Sequence, residues 1–243
     1  MTKQETGFLD RTIRIGAHDY PYVVYVPRDF DRARKWPVIL FLHGAGERGS
    51  DGLRPTQIGL SAAIRSDSSR VPAIVVFPQV PSDERWIGEP ADAAMAALDA
   101  ATKEFHGDRN RTYLTGLSMG GYGTIHLALA HPERFAALVV VCGGLLPHAT
   151  TVSVQRSPLI PADAGPYAFV ARALRDKPVW LFHGAADQTI PVDESRHIYA
   201  ELQSAGAKDA HYNEYPGVGH NAWDKAYFEP SMWQWLFGHR LSR

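Results

Sequence analysis

The chain has 243 residues, 45% of them hydrophobic, and 25 lysines and arginines against 26 aspartates and glutamates leave a net charge of −1. A chain of this size buries about 70–75% of its unfolded surface. The balanced charge excludes a strongly basic nucleic-acid-binding protein, and the single cysteine, Cys142, excludes an internal disulfide.

No repeat, low-complexity tract or linker divides the sequence, so we expect one domain over residues 1–243. No apolar run approaches the roughly 18 residues of a membrane-spanning helix. The first 16 residues contain no apolar segment typical of a signal peptide. These features predict a cytoplasmic protein without a membrane span, and the sequence leaves open whether it is a monomer or a dimer.

The first predicted element is a hairpin. Residues 11–15 and 20–27 alternate polar and apolar side chains on either side of a turn at residues 16–19. Alternation of this kind indicates strands with one buried face. We therefore expect an antiparallel hairpin at the edge of a sheet.

The rest of the chain alternates short apolar runs with helical patterns. The apolar runs, typical of strands buried on both faces, are residues 37–43, 73–79, 112–118, 136–142 and 179–183. The segments with helical spacing are residues 91–105, 121–130, 193–204 and 224–237. This alternation predicts an α/β fold with a mostly parallel central sheet and helices on both faces. The irregular connection at residues 145–176 contains four prolines and predicts a cap or substrate wall.

One motif lies where a predicted strand meets a predicted helix. Gly116-Leu117-Ser118-Met119-Gly120 reads G-x-S-x-G, the pattern of a nucleophilic serine on a tight strand-to-helix turn. Flanking glycines allow the strand and helix to approach without a Cβ clash. Ser118 is therefore the candidate nucleophile.

A serine hydroxyl needs a base to take its proton and an acid to orient that base. Asp187 follows the predicted strand at residues 179–183, and His220 lies 33 residues later before the last predicted helix. Where a nucleophilic serine lies on such a strand-to-helix turn, the triad residues follow one another along the chain in this order: serine, acid, histidine. Asp187 is favoured over Asp163, which lies in the irregular connection, and His183 is interpreted as structural.

A third element is a pair of backbone N–H groups that stabilise a developing oxyanion. Leu42-His43-Gly44-Ala45-Gly46 ends the first long apolar run. We expect one donor here, from Ala45 or alternatively from Gly44. The second is expected from Met119, the residue after the nucleophile.

Residues 44–49 also read G-x-G-x-x-G, a pattern of dinucleotide-binding loops. Such a loop needs a helix beginning within it and an acidic residue at the end of the next strand. Gly52 and Pro55 interrupt any helix, and Asp67 precedes the next strand. The sequence therefore does not favour a nucleotide site.

Together these motifs resemble the α/β-hydrolase fold, and in particular the phospholipase/carboxylesterase group with its dienelactone-hydrolase-like and feruloyl-esterase-like relatives. The similarity is carried by residues 41–51, 116–124, 183–192 and 219–227. It implies Ser118 as nucleophile, Asp187 as acid and His220 as base, with no metal or cofactor. Glu47 and Arg48 match the loop of this family, and we interpret them as a stabilising pair.

The expected function is hydrolysis of small, short-chain or aromatic carboxylic esters through an acyl-enzyme. Trp86 follows the run at residues 73–79 and is a candidate for lining the substrate pocket, or alternatively covers an edge of the core. The same triad also serves a thioesterase or a small-peptide hydrolase. A catalytically idle binding protein is a less favoured reading, because all three triad candidates are present.

Overall fold

The computed structural model of the protein describes residues 5–148, 154–163 and 165–241. The strands of this described part are β1 Gly7–Ile15, β2 His18–Val26, β3 Trp36–Leu42, β4 Ile74–Pro78, β5 Gly107–Leu117, β6 Ala137–Val141, β7 Val179–Gly184 and β8 Ala210–Tyr215. Its α-helices are α1 Leu60–Ser66, α2 Glu89–Glu104, α3 Met119–Ala130, α4 Pro166–Leu174, α5 Asp193–Ser204, α6 Trp223–Ala226 and α7 Pro230–Gly238.

The strands form one sheet in the order β1-β2-β4-β3-β5-β6-β7-β8. From β4 to β8 every neighbouring pair is parallel. The predicted hairpin is confirmed, since β1 pairs antiparallel with β2 and β2 pairs antiparallel with β4. The predicted mostly parallel α/β sheet with an antiparallel start is therefore confirmed.

Apolar side chains cover both faces of the sheet, as the continuous apolar runs predict. One core packs β-strand residues against α2, α3, α4 and α5. The other packs the opposite side chains of the same strands against α1, α6 and α7. Helices therefore lie on both faces of the sheet. None of the helices in the described residues is long and apolar enough to cross a bilayer.

Four parts of the described chain differ from the sequence prediction. The predicted helix at residues 224–237 is two helices, α6 and α7, because Pro230 begins a new helix and cannot continue the old one. Strand β8 and helices α1 and α4 were not predicted. Helix α4 lies in the predicted cap at residues 145–176, of which residues 149–153 and 164 lie outside the described residues.

The strand order determines where in the sheet a ligand-binding crevice lies. The chain leaves β3 for β4 on one side, and then crosses to β5 on the other side of β3. At such a reversal the connections at the carboxyl ends of the strands diverge and leave a crevice, where ligands of open α/β sheets bind. The loop after β3 and the turn after β5 meet at this crevice.

Candidate active site

The turn between β5 and α3 holds Ser118 in a strained conformation. Its φ of 54° and ψ of −119° are rare for a residue with a Cβ. A Cβ on Gly116 would lie 2.2 Å from the carbonyl oxygen of Gly120, and one on Gly120 would lie 1.9 Å from that of Leu42. Both glycines are therefore required by close backbone contact, as the motif predicts.

The three predicted triad residues meet at this turn. His220 Nε2 lies 2.9 Å from Ser118 Oγ, and His220 Nδ1 lies 2.7 Å from Asp187 Oδ2. Asp187 is 33 residues and Ser118 is 102 residues from the histidine in sequence. The fold thus assembles a serine–imidazole–carboxylate chain of hydrogen bonds from three separate loops.

The Asp187 carboxylate is buried and has four hydrogen-bond donors. Oδ1 accepts from the backbone N–H groups of Thr189 and Ile190, and His183 Nε2 lies 3.2 Å from Oδ2, which also contacts His220. Burial raises the pKa of Asp187, but the hydrogen bonds from His183 and His220 and the charge of His220 outweigh it. The pKa of this carboxyl therefore lies well below its ordinary value, and the carboxylate is ionised at neutral pH.

His183, which we interpreted as structural from the sequence, is fully buried behind the acid. Its Nδ1 lies 2.7 Å from Ser195 Oγ and its Nε2 lies 3.1 Å from the carbonyl oxygen of Ile190. A carbonyl can only accept, so Nε2 carries the proton and also faces Asp187. His183 therefore positions Asp187 and does not reach Ser118.

The predicted oxyanion donors lie beside the nucleophile. A Cβ placed on Gly44 would be 3.5 Å from Ser118 Cβ, so the loop after β3 contacts the nucleophile turn directly. Ala45 and Met119 each begin a helix, and first-turn N–H groups have no partner within their helix. Within the described residues neither N–H donates to a protein acceptor. Both remain available to an oxyanion.

Side chains that sequence reasoning missed hold this loop. Gln79, at the end of β4, donates to the carbonyl oxygen of Glu47 at 2.9 Å and accepts from Gly52 N–H at 2.6 Å. His43 Nε2 accepts from Val80 N–H at 3.0 Å, and its Nδ1 lies 2.6 Å from the carbonyl oxygen of Gly44. The end of the neighbouring strand therefore braces the donor loop.

His43 is fully buried, and burial lowers its pKa to about 4. Its Nε2 accepts a hydrogen bond and its Nδ1 donates one, so the ring is neutral. Glu47 and Arg48, interpreted from the sequence as a stabilising pair, both hold the loop, each through its own hydrogen bonds. Arg48 donates to the carbonyl oxygen of Ala45, and the Glu47 carboxylate accepts from the backbone N–H groups of Gly44 and Glu47.

Trp86 is buried at the edge of the core and also lines a pocket. Its indole Nε1 donates to the carbonyl oxygen of His43 at 3.0 Å, and only 2% of the residue is exposed. The same side chain lines a mainly apolar pocket that begins at Met119 and runs along α3. Trp86 therefore fixes the donor loop and forms one wall of a pocket beside it.

Glu194 lies in the first turn of α5, but its side chain does not cap that helix. The residue is buried and its carboxylate faces the segment after β6. It accepts from Leu145 N–H at 2.7 Å, from Tyr167 Oη at 2.8 Å, and faces His148 Nε2 at 2.8 Å. These contacts join α4, α5 and the segment after β6, so Glu194 holds one wall of the same pocket.

Within the described residues one group of three potential metal ligands has its ligand atoms within 4.8 Å of one another: Cys142, Asp187 and His220. The last two are already hydrogen-bonded to each other. Burial raises the pKa of the Cys142 thiol well above its ordinary value, which disfavours the thiolate that a metal binds. The arrangement fits a proton-transfer triad better than a metal site.

Comparison with known proteins places the chain in a family. Residues 72–228, more than half of the chain, match the phospholipase/carboxylesterase family, and the chain belongs to this family of esterase- and thioesterase-type α/β hydrolases. The crystal structure of a thermostable esterase superposes with a TM-score of 0.80 and 29% identity, covering 96% of this chain and 63% of that chain.

Two relatives with named activities share 28% identity with parts of the chain. A poly(3-hydroxyoctanoate) depolymerase from Pseudomonas fluorescens matches over 160 residues, 60% of this chain and 52% of that protein. An acyl-protein thioesterase 1 from Gibberella zeae matches over 112 residues, 46% of this chain and 42% of that protein. The matches therefore span about half or less of each relative.

Proposed function

We propose that the protein is a serine carboxylesterase that hydrolyses small carboxylic esters through an acyl-enzyme. The observation that carries this proposal is the hydrogen-bonded chain of Ser118 Oγ, His220 and Asp187, at 2.9 Å and 2.7 Å. Membership in an esterase-type hydrolase family supports it. The substrate is a small-molecule ester, and the reaction as proposed uses no metal or cofactor.

In the first half-reaction His220 Nε2 takes the Ser118 proton while Oγ attacks the carbonyl carbon. The carbonyl oxygen becomes an oxyanion and accepts hydrogen bonds from Ala45 N–H and Met119 N–H. Gly44, the alternative considered from the sequence, is disfavoured because its N–H donates to the Glu47 carboxylate. The bond to the alcohol breaks, and His220 gives its proton to the leaving oxygen. Asp187 keeps the histidine in the tautomer that has its free lone pair on Nε2.

In the second half-reaction water replaces the alcohol. His220 takes a proton from the water, and the hydroxyl oxygen attacks the acyl carbon. A second oxyanion forms in the same place and collapses, which releases the carboxylic acid and returns the proton to Ser118. Ionised Asp187 stabilises the imidazolium in both halves, so its low pKa suits this role.

A thioesterase is the second candidate function. The matching relative from Gibberella zeae carries the name acyl-protein thioesterase, and the same triad attacks a thioester carbonyl. We also propose that residues 1–243 act as one domain around this site.

The test is hydrolysis of p-nitrophenyl esters and matched acyl thioesters by the wild type and by Ser118→Ala. We expect ester turnover by the wild type and a loss of about 10⁶ in kcat in the variant, as other serine hydrolases show. Higher kcat/KM on every thioester than on its matched ester would favour the thioesterase. Turnover by neither protein above buffer would contradict both functions.

A further inference from the structure

The pocket beside the oxyanion donors follows one face of α3. Met119, Tyr122 and His126 line it at positions i, i+3 and i+7, which fall on one side of a helix. The space measures about 380 Å³ including its open mouth, and it is narrow. From Met119 to His126 it extends about 10 Å, at 1.5 Å per helical residue. A slender chain that entered beside Met119 would need to be about 10 Å long to reach His126.

The position of His220 decides which part of an ester enters this pocket. His220 must reach the leaving oxygen to give it a proton, so the alcohol lies on the side of the histidine. Within the described residues the pocket lining includes no residue of the loops at 185–192 and 216–222, which carry Asp187 and His220. An acyl chain that points away from the histidine can therefore enter the pocket.

Most of the pocket lining is apolar, with Trp86, Leu145, Val154 and Ile160 among its side chains. Its far end is different. His126 and Ser157 also line the pocket, are only 8% and 7% exposed, and lie 2.8 Å apart between Nδ1 and Oγ. A buried polar pair at the end of an apolar channel is suited to select an oxygen or nitrogen atom of a ligand.

The hydrogen bonds of Ser157 indicate which nitrogen of His126 carries the proton. Ser157 Oγ accepts from Leu159 N–H at 3.2 Å, and its own hydrogen can then be donated to His126 Nδ1. Among the described residues His126 Nδ1 is the one acceptor within hydrogen-bond distance of the Ser157 hydroxyl, so the hydroxyl donates to Nδ1 and the proton of the neutral ring is on Nε2. Burial lowers the pKa of His126, which favours the neutral ring. In the described residues Nε2 has no hydrogen-bond partner and is not sealed from solvent.

We propose that His126 Nε2–H is a specificity determinant that binds an acceptor oxygen partway along the acyl chain, so that the preferred substrates are esters of oxygen-bearing aliphatic acids. The inference rests on the proposed esterase function and names its substrate class. The apolar walls bind the methylene groups, and the buried donor penalises an all-carbon chain that leaves it without a partner.

The experiment uses p-nitrophenyl octanoate and a series in which an ether oxygen replaces one methylene at each position from the fourth to the seventh. Each kcat/KM is divided by the rate of hydroxide hydrolysis of the same ester, which removes intrinsic reactivity. We expect the wild type to prefer the oxygen at one position by about fivefold, the gain of one net hydrogen bond. No preference at any position would overturn the proposal.

Two variants assign the preference to the polar pair. His126→Leu should abolish it, and Ser157→Ala should reduce it because Nδ1 loses its fixed partner. The ratio is measured within each variant, so a general loss of active protein cancels. His131→Leu, at the end of the same helix and outside the pocket lining, should keep the wild-type ratio. Retention of the preference in His126→Leu would also overturn the proposal.

p-Nitrophenyl acetate separates failure of this inference from failure of the proposed function, because its acyl group is too short to reach His126. If the wild type hydrolyses the acetate and octanoate esters but shows no preference for an ether oxygen at any position, only the inference fails. If the wild type hydrolyses no ester at all, the proposed function fails and the inference falls with it.

Discussion

The nucleophile turn and the pocket wall lie side by side but are held in different ways. At the turn, Gly120 meets the backbone of β3 so closely that a Cβ would lie 1.9 Å from a carbonyl oxygen. In the wall, the segment after β6 is held by side chains, through Glu194 to Leu145 N–H and Tyr122 Oη to the carbonyl oxygen of Leu146. Close backbone contacts therefore fix the nucleophile turn, whereas hydrogen bonds from a few side chains fix the pocket wall.

This difference matches what each region does in the proposed reaction. A nucleophile, base and oxyanion donors must keep one geometry for every substrate, because small misplacements reduce transition-state stabilisation strongly. In the pocket wall, by contrast, substituting a side chain can change which acyl group binds without disturbing the catalytic geometry. Substitutions at the turn should therefore damage catalysis or folding, whereas those in the wall should alter substrate preference.

After the loss predicted for Ser118→Ala, the largest effect is expected at the acid of the triad. Asp187→Asn replaces one carboxylate oxygen with an NH₂ group. The amide can then hold His220 in the tautomer whose proton is on Nε2, which cannot accept the Ser118 proton, so we expect kcat to fall by about 10⁴. Esterase kinetics on p-nitrophenyl acetate measure the change. Asp163→Asn, at an exposed aspartate, is the matched control and should leave kcat unchanged. Equal losses in the two variants would contradict the assignment.

The next largest effect is on folding at the turn. Gly120→Ala places a Cβ against the carbonyl oxygen of Leu42, and overpacking against a backbone that cannot move costs at least about 3 kcal/mol. Gly238→Ala is the control, since nothing lies within 4 Å of its Cβ position. Urea unfolding measures both. If the Gly120→Ala protein were as stable as the Gly238→Ala protein, the backbone of residue 120 would not be packed tightly against the carbonyl oxygen of Leu42.

Sequence predicts the elements whose burial leaves a local pattern. The interior strands have both faces buried and therefore read as apolar runs. Strand β8 lies at the sheet edge, only its Ala210 is buried, and its sequence AHYNEY carries no such pattern. Helix α4 was missed because prolines and polar residues surround it.

Ser118 and Asp187 were predictable because each follows an apolar run, and His220 because it comes after them in the expected order and before the last predicted helix. Glu194 was not, because an acidic residue in the first turn of a helix is normally a favourable terminal charge. Its partners Leu145, His148 and Tyr167 are 49, 46 and 27 residues away. The pocket along α3 likewise exists only once distant segments pack together.

A smaller effect is expected in the wall. Glu194→Gln keeps one acceptor oxygen and leaves a buried donor such as Leu145 N–H without a partner, which costs about 2 kcal/mol. We expect KM for octanoate to rise while kcat on acetate changes little. Thermal unfolding and kinetics on the two esters check this. Glu201→Gln on the same helix α5 is partly exposed and should match the wild type. A fall in kcat on both esters would place Glu194 with the catalytic turn instead.

The smallest effect concerns pH and the brace under the donor loop. The pKa of folded His43 is about 4, below the value of about 6.5 in an unfolded chain. Between these values the unfolded chain holds a proton that the folded protein lacks, so stability falls as pH falls. His43 should account for about 2 kcal/mol of the loss between pH 7 and pH 5.

His43→Gln tests this contribution by urea unfolding at both pH values. The variant should be less stable than the wild type at pH 7 and should lose about 2 kcal/mol less on acidification. Comparing the change in unfolding free energy between pH 7 and pH 5 in the two proteins removes the contributions of the other histidines. Equal changes in the wild type and the variant would mean that His43 is not held neutral in the folded protein.

The proposed reaction requires Ser118 to be a nucleophile that His220 activates. The most direct measurement is covalent labelling with an alkyl fluorophosphonate, followed by mass spectrometry of the intact protein and its peptides. We predict one label per chain on the peptide containing Ser118, no label in Ser118→Ala, and much slower labelling in His220→Gln. A wild type that is not labelled, or a label that persists in Ser118→Ala, would contradict the account.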